Sequence, residues 1–513
     1  MNSSSDRVES SPLIPSLASE RIASLDQFRG YTVAGMILVN FIGGFAAVHS
    51  VFKHNNDYLS YADTIMPSFH FAVGFAYRLT LLRRLQELGP WKTYWSYIRR
   101  SFALIFVSIL FFGIGGRFAE WSTFEKLPET MGGERSFGGR RFGGEGRFRG
   151  GPRGGDRRRE ELAEMSPDER RAALREAAQA RKEEEKKRQS AEAEKAAKRA
   201  DSWKDPEFRK TFYAQWRVWL ARELKTSMWN TFAIIGATQL VVLPFVARAA
   251  WVRVLAMFGF GIGHALLTYW FNWGFVMGDE NNWMVQLWKT GSGSSFDGGF
   301  FGPLCWSVVM LAGTLAFDLY AASPTLRRAG VRLIVCGLAL TAFSYGVSCL
   351  TRLYDVEGVE KPAVSRDDNI EIAESPIVPD FDLARGRSFQ SLLAEPPFVA
   401  PPPADERLPN YWMMSKRIPT FSFIFCAAGF AFLLYGAFVF LCDVWGLRLG
   451  VFRTFGLNPL AAYCIHSVVS EQIDKLMPRD APLWYCVAGF ATFFGATYLC
   501  VRFLEKRQLF IRL

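Results

Sequence analysis

Ten stretches of this sequence are apolar over the length that a helix needs to cross a lipid bilayer. Each is rich in Leu, Ile, Val, Phe, Ala and Gly with Trp or Tyr near its ends, and about 20 such residues span the hydrocarbon core. They cover residues 30–48, 60–82, 99–116, 229–247, 250–271, 300–320, 328–349, 419–443, 454–472 and 482–503. The mean hydropathy is only +0.06 because very polar segments alternate with these stretches. The sequence therefore predicts an all-α, polytopic integral membrane protein with about ten transmembrane helices.

The polar segments divide the chain into six parts. These are a polar N-terminal segment (1–29), three transmembrane helices (30–116), an extramembrane insertion (117–228), four transmembrane helices (229–349), an extramembrane Pro-rich linker (350–418), and three transmembrane helices with a tail (419–513). The insertion begins with a Gly/Arg/Phe tract that is predicted to be disordered. The Glu/Lys/Arg/Ala run that follows is predicted to be an exposed helix with ion pairs between residues four apart.

Basic residues in the short loops predict the orientation of the chain. Arg83 and Arg84 follow the second span, and Arg327 and Arg328 follow the sixth. With ten spans, all such loops lie on one side, which the positive-inside bias makes cytoplasmic. Both termini are then cytoplasmic, and no cleavable signal peptide is expected. We place the protein in a bacterial cell (inner) membrane.

The net charge of +11 does not by itself indicate nucleic acid. Part of it lies in the short loops, and most of the rest belongs to the insertion, which this topology places outside the cytoplasm. Residues 131–200 are therefore interpreted as a solvated spacer or as a tether to an anionic envelope polymer, and nucleic acid is disfavoured as a partner. The eight cysteines lie almost all in apolar stretches without metal-ligand spacing, so they are predicted to be packing residues and no metal site is expected.

Polar side chains at membrane depth are costly and are therefore candidates for function. The first two spans and their connection hold Asn40, His54 and Asp63, and the ninth span holds Asn458 and His466. A histidine suits general base catalysis because the unperturbed imidazole pKa is about 6.5. Structural alternatives stay open: Asn40 could pin a helix–helix contact, and His54 could be an ordinary loop residue.

Similar alternatives apply at the two helix starts. Ser24 with Gln27 fits a helix capping box, Arg29 fits a cytoplasmic charge anchor, and Asp63 fits a helix N-cap. The sequence has no Walker A motif, dinucleotide-binding fingerprint, HExxH zinc motif or GxSxG nucleophile elbow. It therefore gives no support to the enzyme classes that depend on those motifs.

Three segments near the N-terminus carry a family resemblance. They are RIASLDQFRGYTVAGMILVNFIGG (21–44), FKHNN (52–56) and YADTIMPSFHFAVG (61–74); weaker matches are FDGGFFG (296–302), MSKRIPTFSF (414–423) and FGLNPLAAYCIH (455–466). In this order they resemble the heparan-α-glucosaminide N-acetyltransferase catalytic family of transmembrane acyltransferases. The chain departs from the family pattern at FAIIGAT (232–238), where a Gln-Arg pair is missing, and His70 stands in place of an apolar residue.

The resemblance implies transfer of an acetyl group from cytosolic acetyl-CoA to a sugar on the other side of the membrane. It makes His54 the catalytic histidine, Asn40 the residue near the acetyl group and Asp63 the partner aspartate. Acetyl-CoA is thus the expected co-substrate. The candidate cofactor-binding residues are Arg29, Asp26, Asn458 and His466.

The acceptor is expected to be an amino sugar or a glycan hydroxyl, and membrane lipids surround the helices. Self-association into a homodimer is left open. Two other function classes also stay open. One is a membrane transporter or channel without acyl transfer, and the other is a structural membrane protein that presents an Arg/Gly-rich arm.

Overall fold

The computed structural model describes residues 22–112, 118, 121–128, 166, 182–183, 185–187, 190, 199, 201–356, 375–404 and 406–511. The start of the N-terminal segment, the Gly/Arg/Phe tract and nearly all of the charged run lie outside the described residues, so the predictions for them are not addressed. The chain divides into two compact units. One consists of Met1–Gly116, Gly132–Glu134 and Ala221–Leu513, and the other consists of Arg117–Met131 and Arg135–Leu220.

The described residues are helical and form no β-sheet, apart from an isolated bridge between Asp355 and Arg407. We number the described α-helices in chain order. They are α1 Ala23–Ile42, α2 Tyr61–Leu88, α3 Pro90–Phe112, α4 Pro206–Arg222, α5 Thr231–Val246, α6 Ala250–Leu267, α7 Trp273–Met277, α8 Trp283–Trp288, α9 Gly302–Ala321, α10 Leu326–Ser348, α11 Phe421–Phe438, α12 Gly450–Leu457, α13 Pro459–Asp474 and α14 Leu483–Lys506. Short π-helical segments continue α4, α6 and α11.

Five helical segments of the described chain are long and apolar enough to cross a membrane, or six if the bent pair Pro206–Ser227 and Thr231–Val246 counts as one span. The five are Ala250–Met277, Gly299–Ala321, Leu326–Tyr354, Phe421–Val444 and Leu483–Lys506. The all-helical class and the presence of several membrane-length helices are thus confirmed, whereas the count of ten stays a prediction.

Each predicted span overlaps a described helix, but several boundaries differ; the third span, for example, was expected at 99–116 and α3 begins at Pro90. The first span was expected at 30–48, and α1 instead begins at Ala23 and ends at Ile42. The ninth was expected at 454–472, and the helix is broken there at Asn458 between α12 and α13. Pro459 follows the break and has no backbone N–H to continue the hydrogen bonding of α12.

Burial separates central helices from peripheral ones. In α9, 78% of the most apolar window is buried, compared with 17% in α14. The exposed side chains of the peripheral helices are large and apolar, as Trp251, Leu255 and Leu266 of α6 illustrate. A contiguous exposed apolar surface of this kind is typical of helices that face lipid.

α2 and α9 form a close pair at the centre of the first unit. Successive contacts between them advance in the same direction along both helices, so the two helices run parallel. A Cβ added at Gly74 would clash with the Met310 carbonyl, and one at Gly313 would clash with the Phe71 carbonyl. Small residues at these two positions therefore let the two backbones approach, as is usual for packed membrane helices.

The far end of this pair holds an ionic group that we call the arginine cluster, made of Arg78, Arg253 and Asp318. Arg78 Nε donates to Asp318 Oδ1 at 3.1 Å, and Arg253 donates to Asp318 Oδ2. The two guanidinium groups also donate to the carbonyls of Val246 and Arg248 at the end of α5. These carbonyls lack partners within their own helix, so the cluster closes the α5 terminus.

The Pro-rich connection is held together by buried ion pairs between its own residues. The Arg407 side chain is fully buried and donates to Asp355 and Glu395. Burial alone would raise the pKa of the Glu395 carboxyl, but the hydrogen bonds that it accepts and the nearby charges of Arg407 and Arg352 together hold that pKa below its usual value. The Phe398 N–H donates to the Leu59 carbonyl at 2.9 Å, so this connection reaches the loop before α2.

Candidate functional site

The loop between α1 and α2 is fixed by its own polar groups. Ser60 is the N-cap of α2, and its hydroxyl accepts the Asp63 N–H. The alternative that Asp63 is the N-cap is therefore wrong, because Asp63 lies in the first helical turn. The Lys53 carbonyl accepts hydrogen bonds from Ser60 Oγ and Asn55 Nδ2, both at 2.8 Å, which holds the loop next to the helix start.

His54 and Asp63 are in direct contact. His54 Nδ1 lies 2.8 Å from Asp63 Oδ1, so the carboxylate accepts the Nδ1 proton and leaves Nε2 for other partners. Asp63 Oδ2 accepts hydrogen bonds from Ser60 Oγ at 2.7 Å and from the Asn55 N–H at 3.1 Å. The Asp63 side chain is fully buried, whereas 47% of the His54 side chain is exposed. The arrangement holds the imidazole of a half-exposed histidine through Nδ1.

Two further charged residues complete what we call the histidine cluster: His54, Asp63, Lys416 and Asp297. Lys416 Nζ lies 3.7 Å from Asp63 Oδ1 and 3.6 Å from Asp297 Oδ1. Burial alone would lower the pKa of the Lys416 ammonium, but the carboxylates of Asp297 and Asp63 outweigh it and raise that pKa above its ordinary value. Lys416 is therefore charged at neutral pH. Two carboxylates and one ammonium leave one net negative charge, which a proton on His54 would cancel.

Asp297 stands in a left-handed turn that precedes α9. Its φ is 53°, and Gly298 and Gly299 also have positive φ, at 82° and 55°. A Cβ at Gly298 would lie 2.6 Å from the Gly302 Cα, so only glycine fits there. The Gly298 N–H donates to the Arg417 carbonyl at 2.9 Å, which joins this turn to the segment that carries Lys416.

His70 lies two turns beyond Asp63 on α2 and is completely buried. Its ring stacks on Trp306 with centroids 4.9 Å apart, and Trp306 Nε1 donates to the Asp297 carbonyl at 3.1 Å. His70 Nδ1 lies 3.0 Å from the Met66 carbonyl, and Nε2 has no hydrogen-bond partner. This histidine forms part of the wall beside the histidine cluster.

Asn40 does not contact His54 or Asp63. Its side chain is exposed near the C-terminal end of α1, and it makes no hydrogen bond within the described part of the chain. The end of α1 does reach the loop, since a Cβ at Gly43 would lie 4.0 Å from the Lys53 Cα. Because Asn40 is exposed, the structure does not support the alternative in which it is buried in a helix–helix contact.

The other end of α1 departs from the capping-box alternative. The N-cap is Ile22, which has no side-chain cap. The Ser24 N–H instead donates to Asp443 Oδ1 at 3.0 Å, and Gln27 exchanges two hydrogen bonds with the Leu449 backbone. Ser24 and Gln27 therefore tie α1 to the end of α11 and the start of α12.

Three of the four candidate cofactor residues lie at this same end. Arg29 Nη1 is 3.9 Å from Asp26 Oδ1, and a Cβ at Gly456 would clash with the Asp26 carbonyl, so α1 and α12 pack closely just before Asn458. Asn458 Nδ2 donates to the Leu509 carbonyl at 2.8 Å, and Asn458 Oδ1 accepts the Ile511 N–H at 3.1 Å. These two bonds place the C-terminal segment over the break between α12 and α13.

His466 lies two turns further along α13 and is buried. Its ring packs edge-on against Tyr463, with centroids 5.0 Å apart, and its Nδ1 has no hydrogen-bond partner. Tyr463 in turn lies within electrostatic range of Asp297. His466 thus lies two helical turns away from Asn458 along α13.

Lys416 and Asp297 were missed as site residues by sequence reasoning. Both lie inside segments that carry the weaker family matches, 414–423 and 296–302. Each is a charged residue just before the start of an apolar helix, next to a turn signal or an N-cap. That placement is the signal that could have identified them.

No protein-family model matches this sequence, and no curated protein shows significant similarity to it. The family resemblance therefore rests on the short motifs alone. Among the described residues, no group of three or more His, Cys, Asp or Glu side chains could hold a metal ion.

Proposed function

We propose that the protein is a membrane-bound acetyltransferase that moves an acetyl group from acetyl-CoA to an amino sugar or a glycan hydroxyl. The observation that carries the proposal is the His54–Asp63 pair, with Nδ1 held by a buried carboxylate and the imidazole half-exposed. A histidine oriented in this way through Nδ1 is the arrangement of a general base in acyl transfer.

In the proposed reaction, His54 Nε2 removes the proton of the acceptor amine or hydroxyl as that group attacks the thioester carbonyl. The tetrahedral intermediate then collapses and expels the CoA thiolate, which takes up the proton from the imidazolium. Asp63 positions the ring, and Lys416 and Asp297 position Asp63. Asn40 is proposed to donate to the oxyanion, a contact worth about 3–4 kcal/mol where it is made. A covalent acetyl-His54 intermediate is the second route through the same residues.

Acetyl-CoA is proposed to approach from the cytoplasmic side, because it is made there. Arg29 is the proposed contact to its phosphates, since charge-assisted Arg–phosphate bonds are strong. Asp26 and Asn458 lie at the same end of α1 and α12, and His466 is proposed to line the path from there towards His54. The Asn458 amide already binds the C-terminal segment, so Asn458 would contribute to acetyl-CoA binding by positioning that segment.

The acceptor is proposed to approach from the non-cytoplasmic side. We propose that ten spans cross a bacterial inner membrane, with both termini in the cytoplasm. The aromatic segment 272–288 could then stack on sugar faces, although aromatic residues in a membrane-interface belt have the same composition. Residues 131–200 would raise the local concentration of an anionic glycan.

Replacing His54 tests the proposal. Purified His54→Ala should lose about 100-fold or more of the wild-type rate, since general base catalysis contributes about 10²–10⁴-fold. The measurement is transfer of labelled acetyl from acetyl-CoA to a panel of hexosamines and oligosaccharides, followed by mass spectrometry of the sugar. His49→Ala is the matched control, because His49 is an exposed histidine in the same loop, and it should retain activity. A His54→Ala protein with near-wild-type transfer would refute the assignment.

The transporter alternative is distinguished in the same preparation. Proteoliposomes that accumulate a solute without consuming acetyl-CoA would support transport, whereas acceptor-dependent release of free CoA supports the enzyme. The break between α12 and α13 is the feature that fits a transporter, because discontinuous helices form substrate sites in that class.

A further inference from the structure

Helix α4, in the second unit, has two different faces. One face packs against the aromatic residues of segment 121–125: Phe208 stacks on Trp121 with ring centroids 5.8 Å apart, and the ring centroids of Phe212 and Phe124 are 4.8 Å apart. Thr211 Oγ1 donates to the Phe124 carbonyl at 2.6 Å. This face is therefore already covered by the helix's own unit.

The adjoining side of the helix carries an exposed apolar stripe, whose edge residue Trp216 also contacts Phe118 with ring centroids 5.1 Å apart. Tyr213, Trp216 and Leu220 are 62%, 41% and 51% exposed, and their spacing of three and four residues aligns them along one side of the helix. Large apolar side chains that are exposed in a row need a covering partner. We call these three residues the outer stripe of α4.

Basic side chains flank the outer stripe. Arg209 lies one turn before Tyr213 on the same line, and Arg217 lies one turn after it; both are exposed. Lys210 is exposed as well and pairs with Glu207 at 2.6 Å. Trp, Tyr and Leu bordered by Arg and Lys form the composition of helices that lie in a membrane interface and bind anionic headgroups.

The chain connection favours a bilayer over a distant partner. α4 ends at Arg222, and α5, whose 16 residues carry no charged side chain, begins at Thr231. Fewer than ten residues separate the two helices, so even a fully extended connection would reach at most about 30 Å. With α4 at the bilayer surface, Arg209 and Arg217 would contact the phosphate oxygens of the lipid headgroups. The outer stripe would contact the lipid chains just below the headgroups.

We propose that the outer stripe of α4 lies in the headgroup region of the protein's own bilayer and that Arg209 and Arg217 bind anionic phospholipid there. This inference concerns the second unit alone and does not depend on the proposed acetyl transfer. α4 then acts as an interfacial anchor that fixes where the long insertion meets the membrane.

Photocrosslinking of the full chain tests this directly. A benzoylphenylalanine residue replaces Tyr213 in protein reconstituted into nanodiscs of mixed phosphatidylglycerol and phosphatidylcholine, and intact-mass analysis identifies the adducts. We expect lipid adducts when benzoylphenylalanine replaces Tyr213. The positive control is the same residue in place of Leu255, on the apolar surface of α6, and the negative control is the same residue in place of Glu207, which lies off the stripe and should give no adducts. Absence of lipid adducts at position 213 while position 255 gives them would overturn the proposal.

The anionic preference is measured in the same adducts. Each basic residue near a membrane surface favours anionic lipid by about five-fold at low salt, so phosphatidylglycerol should be enriched among adducts relative to its share of the nanodisc. The Arg209→Gln/Arg217→Gln variant should bring the adduct composition close to the bulk composition. If enrichment is unchanged in that variant, or if added heparin is captured in place of lipid, the proposed role of the two arginines is wrong.

Discussion

The histidine cluster and the arginine cluster occupy opposite ends of the same helix pair, yet they differ in what they leave unsatisfied. In the arginine cluster, both guanidinium groups share one carboxylate and donate to backbone carbonyls and to Thr314. In the histidine cluster, the carboxylates outnumber the lysine, and the side chain of His54 is half-exposed. The arginine cluster therefore keeps one net positive charge, but its guanidinium groups are hydrogen-bonded inside the fold, whereas the half-exposed His54 side chain can exchange a proton with a ligand.

Asp63→Asn should separate the two clusters most clearly, because it should reduce acetyl transfer strongly while the protein stays folded. Asparagine keeps an oxygen that can accept from Ser60 and Asn55, so the loop should remain folded. It removes the charge that orients the His54 ring, a change that lowers kcat by about 10⁴-fold in the serine protease triad. Transfer kinetics and the thermal midpoint should be measured together. A loss of activity that merely follows a loss of folded protein would show that Asp63 is structural, like Asp318.

Asp318→Asn should give the reverse pattern. It leaves two buried guanidinium groups without a carboxylate, and breaking a buried ion pair in this way costs about 3–5 kcal/mol. The thermal midpoint in detergent should fall steeply, while transfer per folded molecule should change little. Glu87→Gln is the control, since it breaks a half-exposed Arg83–Glu87 pair and should cost no more than about 1 kcal/mol. Equal stability losses in the two variants would contradict the distinction between the clusters.

A smaller loss of stability is expected from Gly313→Ala, because Gly313 belongs to neither cluster. The added methyl group would collide with the Phe71 carbonyl, and overpacking of this kind costs about 1–3 kcal/mol. Because α2 and α9 carry residues of both clusters, stability and transfer should decline together. Gly495→Ala on α14 is the matched control, because a methyl group added there would have no heavy atom of the described chain within 4 Å outside its own stretch of helix. Its stability should rise by about 0.5–1 kcal/mol, because alanine favours the helix interior over glycine and meets no clash there.

The parts of the site that the sequence could indicate are those that are close together along the chain. His54 and Asp63 are nine residues apart, so a loop followed by a helix start was enough to suggest that they meet. Lys416 and Asp297 reach Asp63 only through the packing of helices that are far apart in sequence, and periodicity carries no information about that packing. The motifs flagged the right segments without indicating which residue in each would face the site.

A prediction from a local motif failed where residues distant in the sequence formed hydrogen bonds with the same polar groups. Ser24 and Gln27 have the spacing of a capping box, but Asp443 accepts the Ser24 N–H and the Leu449 backbone binds Gln27. Apolar length was the more dependable guide to the fold, because bilayer thickness imposes it whatever the neighbouring helices are. It could not locate the break at Asn458, which lies within an apolar stretch.

The starts of α2, α9 and α11 lie next to the histidine cluster, and this has an electrostatic consequence. Ser60 caps α2 beside Asp63, the Asp297 turn leads into α9, and Cys305 Sγ of α9 contacts the Pro419 carbonyl just before α11. The aligned peptide dipoles of a helix place about half a positive charge at its N-terminus. Three such ends close to one cluster contribute a positive potential that favours the charged form of its carboxylates. The same potential would act on the oxyanion of an acyl-transfer intermediate, and since the backbone supplies it, no side-chain substitution in the cluster would remove it.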